Sequence, residues 1–261
     1  MKAQFRYLFY FIGLALLFTT CKKEKVNTDN EPFTPPEITP PAYSFSRFDA
    51  NGLLMSKKIS VSYYDPLNGL IETVSKEAEA RFKYSAFDTF YSDAGAVTCQ
   101  GKGLSLQNNK TYLLSGSSAN TLAFPDSFVI WNVAGNNVTG IANFILSTSD
   151  GMPEYKGVYN NSIPSDISRA NGVKIPLGAN IVGADSVFIT LTSGTKSISK
   201  TVGGMDSYCE FSNTELNSLP ASAVKSALLQ IAPVKFDVTL AGGQKMYFAN
   251  QNSYSKYITI Q

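Results

Sequence analysis

Short runs of apolar residues, separated by turn residues, make up most of the chain after residue 42. In the run at residues 78–84, Ala80 and Phe82 alternate with the charged Arg81 and Lys83. A period of two is typical of a strand that buries one face. Runs of apolar and alternating residues predict strands at 43–48, 53–55, 59–64, 70–74, 78–84, 96–99, 112–114, 128–133, 141–146, 173–176, 185–192, 197–202, 234–240, 245–249 and 256–260. The pattern predicts an all-β fold.

Turn and cap residues stand between these runs. Residues 65–69 are Asp-Pro-Leu-Asn-Gly, and Asn-Gly between two apolar runs is a strong hairpin signal. Ser212, with Glu215 three residues later, matches a capping box and predicts a single helical turn. Residues 224–231 carry apolar side chains at helical spacing but lead directly into a predicted strand, so both structures stay open for that stretch.

A small, polar stretch at residues 116–120, followed by Pro125, is the candidate domain boundary. It predicts two sandwich-like domains, of immunoglobulin-like or Greek-key type, over residues 43–124 and 125–261. A single larger sandwich is the alternative, because either arrangement provides enough chain to bury a core.

The first 21 residues have a different pattern. Lys2 and Arg6 precede a run of about twelve mostly apolar residues, whereas a membrane-spanning helix needs about twenty. Small residues and Cys21 follow. This order resembles a bacterial lipoprotein signal, which implies a signal peptide at residues 1–20 and acylation of Cys21, for example with palmitate. An uncleaved anchor helix and an ordinary secretion signal are the alternatives.

Residues 21–42 predict a flexible tether, stiffened by two proline pairs at 35–36 and 40–41. The lipoprotein signal, this tether and the strand-rich body together resemble envelope lipoproteins of the Bacteroidetes type whose function is uncharacterised. The stretches at residues 78–82 and 131–135 add to that likeness. The resemblance implies attachment to the outer membrane through lipid, and it leaves open whether the body faces the periplasm or the outside.

Composition excludes several kinds of chemistry. The chain contains no histidine, which removes the Ser-His-Asp and Cys-His hydrolases and the commonest zinc ligand. Its formal net charge of +2 shows no bias toward nucleic-acid binding. We therefore expect no metal and no cofactor. The carboxylates form no recognisable catalytic constellation, so we expect that the protein is not an enzyme.

Two cysteines remain after Cys21 is assigned to the lipid. Cys99 and Cys209 form a candidate disulfide, because bridges persist outside the cytoplasm. The alternative is a pair of buried thiols in separate strands, since free cysteine packs well as a small apolar residue.

Three aromatic residues are candidates for ligand binding. Trp131, the only tryptophan, lies in a predicted strand beside a turn, and Tyr155 and Tyr159 lie in a long polar stretch. The alternative for Trp131 is the central aromatic of a sandwich core. The alternative for the tyrosines is packing within a surface loop.

These features together predict a non-catalytic lipoprotein of the cell envelope that acts as a binding or accessory module. Its partner is expected to be a polysaccharide or another envelope protein, in addition to the membrane that holds the lipid. The alternative is a structural or assembly subunit, such as a pilin-like protein or a component of an envelope complex.

Overall fold

The computed structural model describes residues 50–65, 69–125, 128–148, 151–158 and 162–261, apart from the side chains of residues 63–65, 69, 70 and 158. The predicted signal peptide (1–20), Cys21, the tether (21–42) and the predicted strand at 43–48 lie outside these residues. The strands are β1 (Gly52–Asp65), β2 (Gly69–Phe82), β3 (Val97–Cys99), β4 (Lys102–Gly103), β5 (Ser105–Leu106), β6 (Tyr112–Leu114), β7 (Ile130–Val133), β8 (Phe144–Ser147), β9 (Glu154–Tyr155), β10 (Asp166–Ile167), β11 (Val173–Pro176), β12 (Ile181–Val182), β13 (Ser186–Ser193), β14 (Lys196–Gly203), β15 (Tyr208–Phe211), β16 (Ala227–Ala241) and β17 (Gln244–Ile260).

Helical structure among these residues is short. It comprises the α-helices α1 (Ser117–Asn120) and α2 (Asn213–Leu216) and the 3-10 turns Lys156–Val158 and Gly178–Asn180. The capping box that opens α2 is confirmed, because the Ser212 hydroxyl accepts from the backbone N–H of Glu215 while the Glu215 carboxylate accepts from the N–H of Ser212. The predicted all-β fold is likewise confirmed.

The largest sheet has the strand order β14-β13-β16-β17-β1-β2-β6-β5, with β10 pairing the end of β17. β1 and β2 form the predicted hairpin, in which Asp65 is registered with Gly69. β1 also pairs in parallel with β17, from Gly52 opposite Met246 to Ser62 opposite Lys256. One sheet therefore joins strands from the two ends of the described chain.

The predicted boundary at residues 124–125 does not coincide with a break in this sheet. β1 and β2 precede the boundary, whereas β17, which pairs with β1, and β16, which pairs with β17, follow it. Backbone pairing over so many residues joins the two segments, so the division into two sandwich-like domains is not confirmed by this topology. The immunoglobulin-like or Greek-key detail is not confirmed either.

Two hydrophobic cores lie side by side on one face of the large sheet. Along β17, Met246 and Phe248 belong to the first core, and Tyr254, Ile258 and Ile260 to the second. These residues all have even numbers, and even positions of one strand share a face. The first core also contains residues of the small sheet β4-β3-β7-β8, and the second contains residues of the pair β11-β15. Each core is therefore sandwich-like.

The middle of β17 is polar but buried. Asn250, Gln251, Asn252 and Ser253 are each exposed by less than a twentieth of their surface. The Ser56 hydroxyl donates to the Asn250 carboxamide oxygen at 2.5 Å, and the Asn250 amide nitrogen lies 3.2 Å from the Gly151 carbonyl oxygen. Buried polar groups need such partners. This polar segment separates the two apolar ends of β17, and therefore the two cores.

Candidate functional site

The structure buries two of the three aromatic residues predicted to bind a ligand. Trp131 lies in β7 inside the first core, and Tyr155 lies in β9 inside the second. Both are fully buried. The Tyr155 hydroxyl donates to the Pro176 carbonyl at 3.1 Å, and burial raises its pKa to about 12. Neither ring is exposed for stacking on a ligand in this structure, which favours the packing alternatives for both residues. Tyr159 lies outside the described residues.

Cys99 and Cys209 are free thiols. Cys99 packs in the first core and Cys209 in the second. Burial raises the pKa of both thiols, that of Cys209 to about 11. The candidate disulfide is therefore not formed, because the two side chains belong to different cores. Their role is packing.

Thiol labelling tests this assignment. In a Cys21→Ala variant we expect neither thiol to react with an aromatic disulfide reagent under native conditions, because burial withholds both the sulfur and its thiolate form. In guanidinium, without any reductant, we expect both to react. Labelling of neither cysteine in the denatured chain would show a disulfide and contradict the assignment.

A loop with exposed aromatic side chains follows β2. It comprises residues 83–91, here called the aromatic loop, and the N–H of Ser92 closes it by donating to the Phe82 carbonyl at 2.8 Å. Within it Phe87 is 90% exposed, Phe90 83% and Tyr84 66%. Large apolar side chains are normally buried. A group of three in one short loop therefore points to an interaction surface.

The start of the aromatic loop is held by Asn51, directly before β1. The Asn51 carboxamide nitrogen donates to the Tyr84 carbonyl at 2.9 Å. Its carboxamide oxygen accepts from the N–H of Lys245 at 3.1 Å. The N–H of Lys83 donates to the Asn51 carbonyl at 2.6 Å. One side chain thus ties the loop to the starts of β1 and β17.

A turn inside the loop uses its own polar groups. The Asp88 carboxylate accepts from the N–H of Ser85 at 2.9 Å, and the N–H of Asp88 donates to the Ser85 carbonyl at 3.0 Å. The Lys83 ammonium lies 3.4 Å from the Ala86 carbonyl oxygen. These bonds hold the backbone of the loop, while its Tyr84, Phe87 and Phe90 side chains are exposed.

The end of the loop is fixed by Tyr91 and Asp93. The Arg81 guanidinium donates to the Tyr91 hydroxyl at 3.3 Å and lies 5.6 Å from the centre of the Tyr91 ring. The Asp93 carboxylate accepts from the N–H of Gly95 and from the Tyr112 hydroxyl, each at 2.8 Å. The bond from Gly95, followed by that from Tyr112, lowers the pKa of Asp93.

This lowered pKa predicts how the loop responds to acid. A carboxyl group with a depressed pKa in the folded state contributes stability above its ordinary pKa of 3.8 and loses it as the pH falls through the lowered value. Between about pH 4 and pH 2 we therefore expect the thermal midpoint of an Asp93→Asn variant to fall less than that of the unmodified protein. Asp166→Asn, at an exposed position, is the control. An equal decrease of the thermal midpoint with falling pH in all three proteins would contradict the prediction.

A neighbouring turn extends the surface. Val138 is 95% exposed on the turn between Asn136 and Ile141. Gly140 in this turn has a positive φ of 70°, and a Cβ atom built on it would lie 2.6 Å from the Tyr84 ring. The Gln244 carboxamide donates to the Gly140 carbonyl and accepts from the N–H of Ala142, each at 3.0 Å. We call Tyr84, Phe87, Phe90 and Val138 the aromatic surface.

Two carboxylates on β2, those of Glu77 and Glu79, form ion pairs. Glu79 pairs with Arg81, and its carboxylate lies 3.5 Å from the Lys57 ammonium, which is also 3.9 Å from Glu77. Burial raises the pKa of Glu77, and Lys57 opposes that shift. Glu77 and Glu79 each have a cation beside them. The pairs with Lys57 join β2 to β1 and stabilise the hairpin, whereas Glu79 and Arg81 lie on the same strand.

The aromatic surface was not predicted from the sequence. Tyr84, Phe87 and Phe90 recur every three residues among serine, threonine and aspartate. That spacing fits no strand with one buried face. Aromatic residues in a polar, turn-rich stretch without a period of two were the available signal.

The fold and this surface define a class: an all-β protein of sandwich-like sheets with a rigidly held, solvent-exposed aromatic loop. No family model, curated protein or solved structure matches the chain. Among the residues that the structure describes, no helix is long and apolar enough to cross a membrane.

Proposed function

We propose that this protein is a non-catalytic binding or accessory module of the cell envelope, held at the outer membrane by an acylated Cys21. The aromatic surface is its contact site for an envelope protein or a polysaccharide. The exposure of three aromatic rings on one loop carries this proposal. Tyrosine and phenylalanine are enriched in binding interfaces, where a ring offers large contact area with few torsions to fix.

The energetics support binding rather than folding as the role of these rings. Burying one phenylalanine side chain contributes about 1.5–3 kcal/mol, and this gain is not realised while the ring stays in solvent. A partner that covers the rings recovers it. Because hydrogen bonds at both ends hold the loop, little conformational entropy is lost when the partner binds.

The position of the surface is compatible with a tether. The chain that leads back toward Cys21 joins the described residues at Ala50, next to Asn51, which bonds to the aromatic loop. The surface therefore lies at the end of the sheet to which the tether connects. Residues 22–49, if fully extended, would reach at most about 90–100 Å from the lipid.

Anchoring is tested separately from binding. We expect Cys21→Ala to move the protein from the membrane fraction to the soluble fraction, because the acyl chains provide the attachment. Labelling with a palmitate analogue is expected in the unmodified protein and absent from the variant. Retention of the variant in the membrane fraction would contradict lipid anchoring while leaving the contact surface untouched.

Binding is tested by photo-crosslinking in intact cells. A photoreactive phenylalanine derivative at position 87 is expected to give discrete adducts with an envelope protein or polysaccharide. The same derivative at Val224 is the matched control, because Val224 is 73% exposed and lies near Thr259 at the far end of β17. Adducts that consist of copies of this chain would favour the assembly-subunit alternative. Equal labelling from both positions would contradict the proposal.

A further inference from the structure

β8 differs from the other outer strands of the two larger sheets. β4 and β5 are two residues long, and β14 carries Lys196 and Lys200. Short length and edge lysines both discourage pairing with another chain. β8 consists of Phe-Ile-Leu-Ser, with no charge, proline or glycine. It is therefore an outer strand without these protections.

The backbone N–H and C=O groups of successive residues in β8 point alternately toward β7 and away from it. The N–H of Thr148 donates to the Val129 carbonyl at 3.0 Å, so Thr148 faces β7. In an antiparallel pair, every second residue faces the partner strand. Phe144 and Leu146 therefore bond to β7, and Ile145 and Ser147 direct their N–H and C=O groups away from it. Among the described strands β7 is the single neighbour of β8.

An uncharged apolar face adjoins this edge. Ile145 is 69% exposed. Its register opposite Asn132 places Ile130 on the same outer face, where Ile130 is also exposed. A groove of about 190 Å³ is lined by Asn132, Val133, Ala134, Asn143, Phe144 and Ile145. Because the lining carries no charge, a charged side chain would lose hydration there without a partner.

We propose that β8 accepts an extended, uncharged segment of a partner polypeptide as an additional strand of the small sheet. The outward groups of Ile145 and Ser147 pair with the backbone of that segment, and an apolar side chain of the segment packs beside Ile145. Strand addition obtains affinity from main-chain hydrogen bonds and selectivity from alternate side chains. This surface is separate from the aromatic surface and independent of the lipid anchor.

A peptide of defined chemistry tests the edge. The probe is a blocked hexapeptide of alternating threonine and valine, titrated into the full chain in detergent micelles while backbone amide resonances of residues 143–148 are followed. We expect saturable shifts at Ile145 and Ser147. We expect at least tenfold weaker binding to Ile145→Pro, which removes an outward N–H without removing a bond to β7. Ile145→Val keeps that N–H and is expected to bind within about twofold of the unmodified protein.

Two further measurements, with an N-methylated peptide and by sedimentation, test whether the edge of β8 binds the peptide backbone. The same peptide N-methylated at its four central residues lacks its four central backbone donors and is expected not to bind, which tests the edge even if Ile145→Pro folds poorly. Absence of binding by the unmethylated peptide, or equal binding by the methylated one, would overturn the proposal. A dimer of the unmodified protein that Ile145→Pro dissociates in sedimentation would assign the edge to a second copy of this chain and would also overturn it.

Discussion

Replacing Trp131 with alanine is expected to lower the free energy of unfolding by about 3–5 kcal/mol. The indole is fully buried in the first core, which contains residues of both the large and the small sheet. Its removal leaves a cavity whose lining loses both burial and dispersion contacts. Since a domain is stable by only about 5–15 kcal/mol, this loss brings the chain close to unfolding at room temperature.

Urea denaturation followed by far-ultraviolet circular dichroism measures the effect of Trp131→Ala, because the variant has no tryptophan fluorescence. Trp131→Phe is the control, since it retains most of the apolar volume and removes an indole N–H that has no hydrogen-bond partner. We expect it to destabilise much less. A Trp131→Ala variant within about 0.5 kcal/mol of the unmodified protein would contradict the core assignment and restore the ligand-binding interpretation.

Replacing Phe87 and Phe90 together with serine is expected to weaken partner binding at least about thirtyfold, because interface aromatics often contribute more than 1 kcal/mol each. Stability is expected to change by no more than about 0.5 kcal/mol, since both rings are almost fully exposed. The measurement is the affinity for the partner found by crosslinking, together with a urea denaturation curve. The loss of binding should therefore appear without a loss of folding.

Val224→Ser is the matched control for the double substitution. It also removes an exposed apolar side chain, but at the opposite end of β17. We expect it to leave both affinity and stability unchanged. Unchanged affinity in the Phe87→Ser, Phe90→Ser variant would exclude the aromatic surface as the contact site, whatever the partner is.

The local sequence pattern was sufficient to predict burial where a strand buries one face. Ala78, Ala80 and Phe82 are fully buried, as their alternation predicted. The face ends at Phe82, however, and Tyr84 points to solvent instead of continuing the buried row. The hydrogen bond from the Asn51 side chain to the Tyr84 carbonyl belongs to the loop, not to the sheet. Nothing in the sequence of residues 78–84 alone predicts that the buried row ends at Phe82 and that Tyr84 is exposed.

In the polar middle of β17 the local pattern failed in the opposite way, because it predicted a break where the strand continues. Residues 250–255 separated two predicted strands, and the structure joins them in one strand of 17 residues, Gln244–Ile260. β1 pairs it without a gap from Met246 to Lys256, and β16 pairs it on the other side except at Asn252 and Ser253. Backbone pairing therefore continues the strand through this polar stretch. Partners such as Ser56 and Gly151, distant in sequence, satisfy the side chain of Asn250. The open stretch 224–231 is strand from Ala227 onward, because β16 pairs with both β13 and β17.

The sequence by itself determined the all-β class, the hairpin at residues 65–69 and the capping box at Ser212, because each depends on side chains a few residues apart. Only the tertiary structure decided that β1 pairs with β17, that Trp131 is buried and that Phe87 is exposed. A phenylalanine has the same chemistry in either environment. Which rings find a core depends on strand pairings that span almost the whole described chain, and no local pattern records those pairings.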